Sequence, residues 1–243
     1  MGSFAPELVA LAVVIAAAAG VVRGITGFGG AMVMTPPLAL LFGPLLTVPV
    51  VLLLEALVAL PMVVQTRRLA RWRVIAPICV AAIATVPLGG YVLVSADPQV
   101  LRRAIAAIVI VFSVLMLRGW RYAGRQRLGT SVGLGAVSGA MLGATSIGAP
   151  PVILYLLSGP DPVATTRATL TLYLVITSGA TLIMLWARGV LDATAAGVAL
   201  VLAPAFYGGL LLGVWLFPYF SETRFRQFAL LLLIAVSTGI LLA

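Results

Sequence analysis

Apolar runs of about twenty residues follow one another along almost the whole of this 243-residue chain, each long enough to cross a hydrocarbon core about 30 Å thick. In lipid no water pairs with backbone N–H and C=O groups, so each run must satisfy its own backbone as a helix. The clearest spans are 48–64, 74–94, 101–117, 168–187, 193–216 and 225–242. Only 9% of residues are charged, against roughly 25% in a soluble domain. The longest polar stretch, 118–127, is too short to fold alone. Residues 1–7 lack the basic start of a cleavable signal, so the first apolar run reads as structural. The chain therefore reads as an all-α polytopic membrane protein.

Two glycine-rich stretches interrupt this hydrocarbon. One carries Gly20, Arg23, Gly24, Thr26, Gly27, Phe28, Gly29 and Gly30; the other carries Gly139, Gly143, Thr145, Ser146, Gly148, Pro150 and Pro151. Irregular backbone at bilayer depth survives only where protein or a water-filled cavity satisfies it. Interrupted helices at matching places in two halves of a chain point to a transporter's binding site. The first broken element comprises 8–22, a break at 24–30 and 31–42; the second comprises 132–142, a break at 143–149 and 150–157. These arms are shorter than the roughly 17–25 residues of a full span. Each pair is a re-entrant hairpin or a pair of short, tilted half-spans.

The halves read as two internal repeats, residues 1–127 with a cytoplasmic linker and residues 128–243. Each is a Gly-broken helical hairpin followed by three transmembrane helices. Gly20, Gly24 and Thr26 run alongside Gly139, Gly143 and Thr145. Phe42-Gly43-Pro44 runs alongside Ser158-Gly159-Pro160, Leu88-Gly89-Gly90 alongside Tyr207-Gly208-Gly209, and Arg102 alongside Arg226. All fifteen basic residues are arginine, clustered in short loops, which is how topology signals look. Arg67, Arg68, Arg71 and Arg73 share one loop and Arg118, Arg121, Arg125 and Arg127 another, both cytoplasmic. Inverted repeats also place Arg167, Arg224 and Arg226 inside; parallel repeats gain only Arg188 there. The inverted scheme, with the N-terminus outside, fits the bias better. The basic balance points to anionic lipid headgroups rather than nucleic acid.

Several residues can carry chemistry. A helix that begins at a break turns its free N–H groups and the positive end of its dipole into the cavity. Two such breaks facing each other make an anion site, to which Thr26, Thr145 and Ser146 add hydroxyl donors. Gly20/Gly24 and Gly139/Gly143 also have the spacing of tight helix contacts. Arg167, at the start of an apolar helix, offers a fork for oxyanions or anchors the helix by snorkelling; Arg23 abuts the first break and carries the same ambiguity. Glu55 is the one acidic residue deep within a span. It reads as a proton-coupling carboxyl or as a structural partner of Arg167 or Arg23. Asp97, Asp161, Asp192 and Glu222 sit at loop edges as helix caps. Trp72, Trp120, Trp186 and Trp215 fall near span ends, as an interfacial belt does. Cys79 is a small packed side chain. No cofactor or metal is implied: there is no histidine, the commonest metal ligand.

The stretch Arg23-Gly-Ile-Thr-Gly-Phe-Gly-Gly-Ala, followed by a proline-containing apolar arm, resembles the sulfite exporter TauE/SafE family. So does Gly-Ala-Thr-Ser-Ile-Gly-Ala-Pro-Pro-Val-Ile-Leu-Tyr at 143–155, with Arg167-Ala-Thr-Leu shortly after. The resemblance covers nearly the whole chain. It implies a bacterial inner-membrane permease for small sulfur-containing anions: sulfite, sulfoacetate or related organosulfonates. By motif match it implies substrate-binding roles for Arg23, Gly24, Thr26, Gly27, Phe28, Gly29, Gly30, Thr145, Ser146, Gly148 and Arg167. The reading is a secondary transporter working by alternating access at the repeat interface. An anion channel with a pore lined by the same breaks is the rival. An enzyme lacks a convergent nucleophile, base or metal set. Small-residue helix faces permit a homodimer.

Overall fold

The computed structural model describes residues 5–66, 68–120, 122, 127–159, 161–217 and 222–242. Arg67, Arg121, Arg125 and Pro160 lie outside the described residues, as do the side chains of Glu222, Arg224 and Arg226. Ten helices follow in chain order: α1 (Pro6–Thr26), α2 (Gly30–Phe42), α3 (Pro44–Thr66), α4 (Trp72–Ser95), α5 (Pro98–Leu117), α6 (Leu128–Thr145), α7 (Ala149–Leu156), α8 (Val163–Ala187), α9 (Ala193–Leu216) and α10 (Glu222–Leu242). Among the described residues, six of them, α1, α4, α5, α6, α8 and α9, are long and apolar enough to cross a membrane. The fold is all-helical among the described residues, and the protein is a multi-pass membrane protein.

The broken elements differ from two short arms. α1 has 21 residues and α6 has 18, whereas α2 has 13 and α7 has 8. The physical reason lies in Gly20, Gly24, Gly139 and Gly143. They do not interrupt their helices but let them pack. A Cβ on Gly20 would overlap the carbonyl oxygen of Phe206, and one on Gly24 that of Leu210; from the facing helix, Gly209 and Gly213 stand likewise against Ala17 and Val21. The α4–α6 seam is built the same way, with Gly139 against Ala82, Gly143 against Val86 and Gly89 against Ala140. In lipid, where burial of apolar surface gives no drive between helices, such backbone proximity is what holds them. The breaks proper are only 27–29 and 146–148.

Pairing between the halves is reciprocal. α1, the first helix of one half, lies along α9, the fourth of the other; α6 lies along α4 in turn, and α3 meets α8 while α5 meets α10. Three apolar clusters fill the interior. One joins α2, α4, α5, α7, α8 and α10 around Tyr155 and Tyr173; a second joins α1, α2, α3 and α9 around Phe206; a third centres on Leu52, Val86 and Leu142. Many large apolar side chains, Leu200 and Leu242 among them, face outward, as the lipid-facing side of a bundle requires. Trp72, Trp120, Trp186 and Trp215 are all exposed at or beside helix ends. Cys79 is buried and free.

The loop-edge acids divide. Asp97 accepts from the N–H groups of Gln99 (2.7 Å) and Val100 (3.4 Å) at the start of α5. Asp192 accepts from the N–H of Ala195 (2.8 Å) at the start of α9, which holds its carboxyl below the usual range. Asp161 is not a cap. α8 starts behind Pro162, and the Asp161 carboxylate instead takes Arg71 Nη1 at 2.6 and 2.8 Å. That hydrogen bond raises the already high pKa of Arg71. The backbone N–H of Arg71 also donates to Thr169 (3.1 Å), so the α3–α4 loop is tied to α8.

Candidate functional site

Both breaks line one small cavity. Phe28, Gly29, Ala31 and Met32 approach from the first; Ser146, Ile147, Ala149 and Pro150 from the second. Gly27 (φ 79°) and Gly29 (φ 91°) turn the chain between α1 and α2; at both positions a side chain would be strained. Ser146 takes the equivalent left-handed turn after α6 at φ 59° although it has a Cβ. Its hydroxyl meets Thr35 on α2 at 2.8 Å, which ties the breaks together. The cavity, about 30 Å³, has room for a water or two.

The threonines serve the turns. Thr26 shares its hydroxyl proton with the carbonyls of Val22 (2.7 Å) and Phe28 (2.5 Å) and accepts from the Phe28 N–H (3.4 Å). Thr145 donates to Met141 (2.7 Å) and accepts from the Ile147 N–H (3.2 Å). In each hairpin the hydroxyl closes the end of the first arm and shapes the turn after it. Gly148 lies against Leu142 and the Ser138 carbonyl, where a Cβ would crowd, and its own carbonyl accepts from the Ser138 hydroxyl. Ser138 also meets the Tyr173 hydroxyl.

The two second-arm N-termini are not equivalent. The N–H groups of Gly30, Ala31 and Met32 precede the first helical bond of α2, which runs from Val33 to Gly29 (3.1 Å). In α7 two of the first three positions are Pro150 and Pro151, which carry no N–H. α2 therefore presents the richer set of donors. Its N-terminus faces Glu55: Oε1 lies where a Cβ on Gly30 would be.

Glu55 pairs with Arg23, Oε2 to Nε at 3.3 Å, with both side chains buried. Of the two partners open to it from the sequence, the structure places Arg23 beside it. Arg23 also donates from Nη1 to the Gly27 carbonyl at 2.6 Å. Arg167 comes to the same peptide from α8: a Cβ on Gly27 would sit 3.8 Å from its Nε. Arg23 and Arg167 line a second, larger cavity of about 280 Å³ with Gly24, Gly27, Thr171 and Phe217. Arg23 thus stands between the cavities, with Glu55 on the small side and Arg167 on the large one.

Sequence reasoning missed Thr35, Thr171 and Ser178, which line these cavities or bridge the breaks. Hydroxyls inside apolar helices carry little signal, because most bond a carbonyl of their own helix, as Thr177 and Thr181 do here at 2.7 Å.

A family model described as sulfite exporter TauE/SafE matches residues 12–240. Searches of curated proteins and of solved structures returned no match.

Proposed function

We propose, from the premise that the chain belongs to the sulfite exporter TauE/SafE family, that it carries small sulfur anions across the membrane by alternating access. Sulfite, sulfoacetate and related organosulfonates are the substrate class. The observation that carries this reading is the convergence of Arg23 and Arg167 on Gly27, at the wall of a cavity of about 280 Å³. A sulfonate or sulfite presents oxygens in the spacing that a planar guanidinium fork pairs with, and hydrocarbon around the site strengthens each contact. Arg167 receives the anion from the larger cavity and Arg23 holds it at the break. The arginine-rich loops give the ends near Arg167 to the cytoplasm of a bacterial cell, so this cavity opens inward.

The reciprocal pairing of α1 with α9 and α6 with α4 supports a two-repeat architecture in which one half rocks against the other around the site. The buried Arg23–Glu55 pair between two distinct cavities favours a carrier over an open pore. Counterflow in proteoliposomes tests both points. Vesicles preloaded with unlabelled sulfoacetate should transiently accumulate labelled sulfoacetate above equilibrium. Equilibration without overshoot would favour a channel, and no flux of sulfite or sulfoacetate would overturn the substrate class.

A further inference from the structure

Glu55 holds an odd position for a mere counter-ion. It is 7% exposed, makes one contact to Arg23 through Oε2, and leaves Oε1 buried with no hydrogen-bond partner. Oε1 lies against Gly30, at the donor-rich start of α2, and the carboxylate lines the small cavity beside Ser146 and Ser178. A structural pair would saturate both oxygens. Here the carboxylate occupies the two features that recognise an anion, a guanidinium and a helix N-terminus, and occupies them incompletely. Among the described residues, no ionisable side chain besides Arg23 and Glu55 lines the small cavity: α2, α6, α7 and α8 bring hydroxyls, backbone and apolar groups, and Phe206 of α9 packs on Gly30. α4 and α5 meet α3 through apolar residues such as Val86 and Leu101. Arg167, on α8, faces the neighbouring cavity.

We infer that Glu55 is a resident anion that competes with the substrate for Arg23, so that each substrate anion is carried together with one proton. This rests on the proposed role of Arg23 as an anion ligand. Two like charges beside one guanidinium in a low-dielectric site do not both stay ionised. Substrate therefore binds Arg23 only when the Glu55 carboxylate has taken a proton from water in the cavity and become a neutral acid. On the far side the anion leaves Arg23, the acid returns its proton to water, and the carboxylate recovers Arg23. The balance is one proton and one anion moved in the same direction. For doubly charged sulfoacetate, one net negative charge crosses per cycle.

Sulfoacetate is the probe of choice because its sulfonate stays ionised and, near neutral pH, so does its carboxylate, so it does not carry the proton itself. Protein in vesicles loaded with a pH dye, with voltage clamped, should move one proton per sulfoacetate down an imposed sulfoacetate gradient. Equilibrium binding of sulfoacetate should weaken about tenfold per pH unit wherever Glu55 is ionised, the slope required when one proton is taken up on binding. In Glu55→Gln that slope should vanish, and whatever net flux remains should move no protons. Net sulfoacetate flux down its gradient without proton movement in the unmodified protein would overturn the inference while leaving the transport reading intact, and so would an unchanged pH slope in Glu55→Gln. Absence of counterflow would overturn both. Should Glu55→Gln fail to fold, the proton-to-anion ratio of the unmodified protein decides alone.

Discussion

Gly208 and Gly209 are neighbours in α9 with opposite surroundings, which makes them a sharp test of the α1–α9 seam. A Cβ on Gly209 would overlap the carbonyl oxygen of Ala17 and lie 3.0 Å from its carbonyl carbon and 3.1 Å from its Cα; one on Gly208 meets nothing within 4 Å. The obstacle at Gly209 is backbone, which no rotamer change removes. The two helices would have to part by roughly an ångström to restore ordinary contact, loosening Gly20, Gly24 and Gly213 as well. Overpacking of this kind costs about 1–3 kcal/mol, offset by up to about 1 kcal/mol from alanine's better helix propensity. Gly208→Ala keeps the propensity gain without the clash. The variants should differ by about 2 kcal/mol, which for a chain of this size is about 4–8 °C in Tm. Thermal unfolding of the purified variants in one detergent reads the gap. Arg23 lies in α1 between Gly20 and Gly24, so Gly209→Ala should also slow transport more than Gly208→Ala. Equal Tm values for the two variants would refute the seam.

Three further outcomes are expected. Arg167→Ala should abolish sulfoacetate counterflow, while Arg167→Lys should retain part of the affinity without the paired geometry; normal transport by Arg167→Ala would remove the arginine from the site. Arg23→Ala leaves the buried Glu55 without its counter-charge and should destabilise the protein by about 3–5 kcal/mol. Joint replacement by Arg23→Met and Glu55→Leu should recover most of that loss in the same unfolding assay. Asp161→Asn should cost no more than about 1 kcal/mol, because Arg71 is half exposed and its pair with Asp161 is solvated.

Much of the fold was legible because the bilayer leaves few options. Runs such as 74–94 and 193–216 are helices in the structure within a residue or two, α4 being Trp72–Ser95 and α9 Ala193–Leu216. The lengths of the broken arms were not legible, since glycine serves two opposed ends. At Gly27 and Gly29 it permits a positive φ; at Gly20 and Gly24 it sits in regular helix and admits a neighbouring backbone. Only the partner decides between these uses, and the matching Gly209 and Gly213 lie in a different helix far along the chain. The same limit applies to Glu55: an intramembrane carboxylate announces a cationic partner, but choosing Arg23 over Arg167 needs the three-dimensional placement of α3 relative to α1 and α8.

That choice changes the chemistry expected of the break. Read from sequence, two breaks facing each other make an anion site, with Arg23 beside the first of them. In the structure a carboxylate already stands there, with Oε2 on Arg23 and Oε1 over Gly30. A site filled by the protein's own anion admits a competing anion only if that carboxylate is neutralised or moved. α3 is a continuous helix through this region, and Leu52 and Leu54, just before Glu55 in it, are buried. Protonation needs only the water that the small cavity can hold. Under the proton-coupled reading inferred above, occupancy of the site becomes a function of pH rather than of anion concentration alone.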